Sequence, residues 1–313
     1  MGSQQLFAGL ICSDPNLAEN FVSVIGTVQK FKLRALWSPD PEKSIHIAAD
    51  FDIPSVSHTA YQLMCRPDTN IVIVAGHPAH NIVYCIQAQA LKKEVICIGC
   101  LALSVRSAQV LNQFTEHLGL SPVNIFYPLK YSKPFSLLRL NAEKIGVLHC
   151  IHVEFFFKYS TKERDRLMYD APTVLHLYGH ELIDAVASVC KTAPQRHAIT
   201  YRCKTSVVQH FRLKELDSAH IQVEYGDTVA NFRIASANYD FFSLHVEGAN
   251  GTLDLDINYL KLACQGQCLT LWQGNGSYES IFKDGLLNAL SCSTPIENID
   301  EVSLVNCIGD DFL

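Results

Sequence analysis

The sequence predicts an α/β protein in two parts: a parallel sheet wrapped by helices, then an α+β part built on a large open, mostly antiparallel sheet. Two observations carry this. About the first 120 residues alternate short apolar runs with segments of helical period, the layout of a parallel sheet with crossover helices. After Pro122 long stretches of period-two alternation take over, as in strands with one buried face. The change of texture divides the 313 residues into 1–122 and 123–313, and this length is enough for two cores.

The elements follow in order. Leu6–Cys12 reads as the first strand, and Leu17–Gln29 as a helix with Leu17, Phe21, Val24, Ile25 and Val28 on one face. Lys32–Trp37 is a second strand. Ser38-Pro39-Asp40-Pro41 then opens a helix through Ala49, with Asp40 as its cap. Ser55–Val56 is expected as a short third strand, followed by a helix around Tyr61–Cys65. Ile71–Ala75, a helix over His80–Leu91, Val95–Ile98 and a helix over Val105–Leu118 complete the first part. In the second, Val147–Phe157, Ala219–Val223, Val229–Ser236, Phe242–Val246 and Cys268–Trp272 are strands. Gly226-Asp227, Ala249-Asn250-Gly251 and Gln265-Gly266-Gln267 mark turns. Val174–Val189 is a helix packed on that sheet, and helical patterns return at Ile281–Leu290 and Glu301–Ile308.

Composition excludes several functions. A net charge of −6 and the absence of a dense Lys/Arg run argue against nucleic acid. No apolar run approaches the roughly 20 residues of a membrane span, and the start carries no basic region of a secretory signal. The twelve cysteines, several inside apolar runs (Cys12, Cys97, Cys150), are therefore expected as small buried hydrophobes in a reducing compartment, cytoplasmic or nuclear.

Several stretches, in order, resemble one superfamily: Leu33–Trp37 through Asp52-Ile-Pro54, Asn70–Ala75, Lys93–Cys97, Lys144-Ile-Gly-Val147, Gly179-His-Glu-Leu-Ile-Asp184 and Val246–Leu253. Together they resemble the glucose–fructose oxidoreductase, inositol dehydrogenase and rhizopine-catabolism (Gfo/Idh/MocA) superfamily. Val174–Asp184 looks closest to the animal proteins named for a glucose–fructose oxidoreductase domain. The resemblance implies a Rossmann-like first domain and a second domain that pairs copies through its open sheet.

It also implies three sites, and this sequence departs from each. The glycine-rich turn that admits a pyrophosphate holds, counting from Gly9, Cys12, Asp14 and Leu17 at its glycine positions. Asp14 would set a carboxylate against phosphate charge, whereas a helix start capped by Ser13 or Asp14, with Pro15 in its first turn, explains the segment as structure. The acidic residue that would hold the ribose hydroxyls is Ser38. The catalytic lysine after the strand at 95–98 is replaced by Gly99. The Asp and His of the acid/base segment are replaced by Leu177 and Glu181, with His180 one residue early and about 100° away on a helix. On this reading the catalytic set is absent, and neither NAD nor NADP is expected as a cofactor.

Other constellations read as structure. Cys97-Ile-Gly-Cys100 and the pair Cys264/Cys268 could supply thiolates, but they fall in different domains, and no metal is expected. His176, His180, Glu181 and Asp184 mimic a metalloprotease helix without its second His. His77 and His80 are rim or core histidines. The apolar residues Phe155, Phe157, Val223, Phe232, Phe242 and Leu244 are expected to occupy more than one face of the sheet. One helix cannot cover both faces, so a homodimer through the open sheet is expected, or another protein partner there. The functional expectation is a catalytically inactive relative, a pseudoenzyme acting as a dimeric scaffold or adaptor. The alternative is an NAD(P)-dependent oxidoreductase of sugars or polyols with displaced catalytic residues.

Overall fold

The structure, a computed structural model, describes residues 5–102, 104–158, 171–208, 211–237 and 239–292. The described residues divide into two compact units, one running through Pro128 and rejoined from Leu286, the other running from Leu129 to Gly285.

The first unit alternates strand and helix. Its strands are β1 (Leu6–Cys12), β2 (Phe31–Trp37), β3 (Ile71–Ala75), β4 (Glu94–Ile98) and β5 (Asn124–Phe126). Its helices are α1 (Pro15–Thr27), α2 (Pro41–Asp50), α3 (Ala60–Met64), α4 (Pro78–Ala90) and α5 (Val105–His117). The sheet is parallel in the order β2-β1-β3-β4-β5. Ile71-Val-Ile-Val-Ala75 is buried at every residue because β3 is central and covered on both faces. The helix starts are fixed by short polar side chains: Asp40 accepts from Lys43 N at 2.9 Å, Thr59 from Gln62 N at 3.0 Å and Ser104 from Ser107 N at 3.1 Å.

Two sequence expectations change here. Ser55–Val56 forms only a bridge, between Val56 and Leu36, rather than a strand. Conversely, the three-residue β5, not expected from the sequence, adds a fifth parallel strand beyond residue 122, and the first unit runs through Pro128.

The second unit begins with a 3-10 turn (Pro128–Tyr131), α6 (Lys133–Asn141) and a second 3-10 turn (Ala142–Ile145). Its strands are β6 (Leu148–Lys158), β7 (Arg196–Val208), β8 (Phe211–Tyr225), β9 (Thr228–Ala237), β10 (Phe241–Gly248), β11 (Gly251–Asp256), β12 (Tyr259–Cys264) and β13 (Gln267–Gln273). Helix α7 (Ala171–Cys190) lies between β6 and β7, and α8 (Tyr278–Ser291) follows β13. The eight strands form one sheet in the order β13-β12-β11-β10-β6-β9-β8-β7, antiparallel except for the parallel pair β6–β9. The helix expected at Glu301–Ile308 lies outside the described residues.

The alternation in these strands is strict, and that overturns the expectation of apolar side chains on two faces. Ile151, Val153, Phe155 and Phe157 of β6, Val223 of β8, Phe232 of β9 and Phe242 and Leu244 of β10 are all buried and share one face. That face is covered by more than the one helix foreseen. Tyr178 of α7 lies 4.6 Å from the Phe155 ring, Phe135 of α6 6.3 Å from Phe242, and Tyr278 of α8 5.0 Å from Phe155. The opposite face carries Cys150, His152, Glu154, Phe156, Asn231, Arg233, His220 and His245, none of them fully buried.

Candidate functional site

In the first unit the strand order reverses direction between β1 and β3, so the C-terminal strand ends there line a crevice of the kind that binds nucleotides. Helix α1 starts at Pro15 immediately after β1, which puts the positive end of its dipole at that crevice. The turn between them is built from the residues that replace the expected glycines. Cys12 is buried and its Sγ donates to the Asp14 carbonyl at 3.0 Å. That carbonyl also accepts from Leu17 N and Ala18 N, opening the helix, while the Leu17 side chain is exposed. Ser13 pairs with the loop after β3: its N–H donates to Ala75 O at 3.0 Å, and its Oγ accepts from His77 N at 2.6 Å. The fit is tight enough that a Cβ at Gly76, which has φ +128°, would lie 2.9 Å from Ser13 N.

At the end of β2, Ser38 turns inward, its hydroxyl 2.7 Å from that of Ser44, while Asp40 is spent as the cap of α2. Ser38 thus carries no carboxylate for a ribose, and one carboxylate oxygen of Asp40 is engaged in the cap. Trp37 instead meets Tyr84 of α4 edge-on at 5.6 Å, and His80 and His77 extend this aromatic row. After β4, Gly99 takes φ +84° with open space where a side chain would start. Asn81 holds the loop by donating to Cys100 O at 2.8 Å. Cys100 is buried and its Sγ donates to Ala102 O, so Cys97 and Cys100 behave as core residues. Among the described residues no group of three His, Cys, Asp or Glu is arranged to hold a metal.

The second unit contains a buried polar cluster that the sequence only half disclosed. Glu181 of α7, in the acid/base segment, is 4% exposed and accepts from Leu129 N. Burial raises its carboxyl to about 8, and Asp184 adds to the rise, against the opposing pull of the Leu129 amide and the Lys130 charge. The group is therefore mostly protonated at neutral pH. Beside it Lys130 and Asp184 form a fully buried ion pair at 3.0 Å. Burial, reinforced by the nearby Glu181 and Tyr178, pushes the Tyr278 phenol well above its usual range. His180 is buried in the same helix, and Leu177 also lies on α7. Lys130 gave no sign in the sequence: a lysine between Leu129 and Tyr131 reads as a surface residue.

A parallel sheet with a helix starting at the end of its first strand, followed by an eight-stranded open sheet, is the architecture of a two-domain dinucleotide fold. Residues 15–121 match the model of the Gfo/Idh/MocA family, described as an oxidoreductase family with an NAD-binding Rossmann fold. No curated protein sequence matches the chain. Three solved structures illustrate the shared fold. An oxidoreductase from Agrobacterium radiobacter, in complex with NAD+, L-tartaric acid and magnesium, is 15% identical with a TM-score of 0.79, covering 97% of this chain and 94% of that one. Biliverdin reductase from Synechocystis sp. PCC 6803, with biliverdin and NADP+, is 15% identical with a TM-score of 0.76, covering 96% of each chain. A levoglucosan dehydrogenase with NADH and levoglucosan is 12% identical with a TM-score of 0.78, covering 99% and 96%.

These findings overturn the expectation of no cofactor, because the matched domain is an NAD-binding fold and those three structures hold NAD+, NADP+ and NADH. The expectation weighed side chains alone, whereas the grip on a pyrophosphate comes largely from backbone amides and a helix dipole. Here the helix dipole meets that demand, since α1 begins at the crevice, while the Ser13, Leu17 and Ala18 amides are bonded within the protein. What departs is the side-chain set at Cys12, Asp14, Ser38 and Gly99. Among the described residues no helix is long and apolar enough to cross a membrane.

Proposed function

We propose that this protein is a non-catalytic relative of its oxidoreductase family, a dimeric adaptor that keeps the dinucleotide fold as a ligand-binding module. When bound, a nicotinamide dinucleotide can donate or accept a hydride; the start of α1 would hold its phosphates. The observation that carries the proposal is Glu181. At the acid/base position of the resemblance stands a carboxyl that is buried and committed to the Leu129 amide. Gly99 adds to it, since no cation stands where the resemblance places the polarising lysine. We place the protein in the cytoplasm, where cysteines stay reduced; no disulfide joins the described ones.

The test is a titration with NAD(H) and NADP(H) beside a turnover assay on a panel of sugars and polyols. A saturating dinucleotide should raise the melting temperature by several degrees, since a ligand at one hundred times its Kd stabilises by about 2.7 kcal/mol. Reduced nicotinamide should not accumulate above the rate without protein.

A second reading rests on the same carboxyl. An acid held near 8 is matched to proton transfer at neutral pH, and Lys130 supplies a cation beside it. On that reading the protein is an NAD(P)-dependent oxidoreductase of sugars or polyols with displaced catalytic groups. Turnover by the wild type that Glu181→Gln abolishes would select it over the adaptor.

A further inference from the structure

Cys150, which the sequence places among the core cysteines, belongs to the opposite face of the sheet. It is half-buried on β6, two residues before His152, so both side chains leave the strand on the side away from α7. Its Sγ lies 3.2 Å from His152 Nε2. Asn231 on β9, in register with His152, donates its Nδ2 to the same sulfur at 3.7 Å. A nucleophile within hydrogen-bond reach of a base, with a further polar group on the sulfur, is the arrangement of an activated thiol. Of the other described cysteines, Cys12, Cys85, Cys97 and Cys100 are buried and Cys65, Cys268 and Cys292 are exposed; Cys190 and Cys264 are half-buried, but burial pushes the Cys190 thiol up to about 12 and the Cys264 thiol donates to Lys144 O. The charged groups around the pair are Glu247, opposite Cys150 in register, and His245, opposite His152 and bonded to Asp254 at 2.6 Å. Glu154 and Arg233 form an ion pair one row further on. No group of three His, Cys, Asp or Glu placed to hold a metal includes the pair among the described residues.

We propose that Cys150 is a modification site that takes small-molecule disulfides, with His152 as its base. The imidazole accepts the thiol proton, and the thiolate attacks one sulfur of the disulfide. A new S–S bond forms to Cys150 as the old one breaks, and the leaving half departs with the bonding pair and takes the proton back from the imidazolium. The Cys150 sulfur is oxidised and the leaving half reduced, with no other reagent consumed. The adduct stands in the middle of the polar face of the sheet, where it blocks any partner that docks there.

The full-length chain, reduced and freed of reductant, is exposed in dilute solution to oxidised glutathione, and occupancy at each cysteine is followed by peptide mass spectrometry. Cys150 is expected to be modified about tenfold faster than Cys65, Cys268 or Cys292. His152→Gln should bring the Cys150 rate down to theirs while leaving their rates and the melting temperature unchanged. If Cys150 reacts no faster than the exposed cysteines, or if His152→Gln leaves its rate intact, the proposal is overturned.

Discussion

Glu181 makes stability depend on pH in a direction opposite to that of most carboxylates. Its folded-state value is raised to about 8 by burial, above the ordinary carboxyl value of 4.5. Below the ordinary value both folded and unfolded chains hold the proton, and the contribution is fully present. Between the two values only the folded chain holds it, so stability falls as pH rises, by about 1.4 kcal/mol per pH unit for one proton. Denaturant unfolding from pH 5 to pH 8 should show this slope, and Glu181→Gln, which mimics the neutral acid, should flatten it. An unchanged slope in the variant would mean that the carboxyl is ionised in the fold. The neighbouring ion pair makes a separate prediction. Asp184→Ala removes the carboxylate paired with the buried Lys130, at a cost of about 3–5 kcal/mol, and combining it with Lys130→Met should recover most of the loss. At this scale the sequence was legible where the chemistry is local, as in Asp40 capping α2 three residues before its bonded amide. It was opaque where a partner comes from far along the chain, as Asp184 does for Lys130.

Elements show the same division. The parallel strands were readable because β3 is a continuous apolar run between turn signals, whereas the three residues of β5 are too few to carry a period. The open sheet was legible as alternation, but its sidedness was not, because a list of apolar residues does not say which of them share parity along a strand. The structure settles it, and substitution can check it. Phe232→Ala, on the helix-covered face, should cost about 3–5 kcal/mol, whereas Phe156→Ala, on the other face under Arg233, should cost about 1 kcal/mol or less. Equal losses in chemical denaturation would mean that both faces are packed. In the first unit the turn between β1 and α1 rests on Gly76. Gly76→Ala should destabilise by about 1–3 kcal/mol through its positive φ and should weaken dinucleotide binding as the Ser13 backbone is displaced. A variant with unaltered dinucleotide affinity would show that this turn does not form the cradle.

For the whole molecule, the order of element types along the chain was enough to indicate the architecture, since short parallel connections and long alternating strands each admit few topologies. How copies associate is a different matter, because it depends on what the polar face of the sheet presents. That face is mostly hydrophilic, which removes the argument that a large apolar surface must be buried in an obligate dimer of more than about 2,000 Å². It does carry one aromatic patch. Phe241 pairs in register with Phe156, their rings 5.5 Å apart, Tyr239 meets Phe156 edge-on at 6.2 Å, and the Arg233 guanidinium lies over Phe156 at 5.3 Å. Tyr239 is 57% exposed and Phe241 36%. Aromatic rings with an arginine, set among polar side chains, are the composition of an interface hot spot, and a patch on a broad sheet can meet its own copy about a two-fold axis. The dimer expected from such a face is reversible, burying about 1,200–2,000 Å² in total. Light scattering over a micromolar dilution series should therefore give a mass that rises from one chain toward two with concentration. Phe241→Glu should hold the protein at one chain with little change in melting temperature, because Phe241 lies outside the core. A wild-type mass of one chain throughout the series would rule out the homodimer and leave the aromatic patch without a role in self-association.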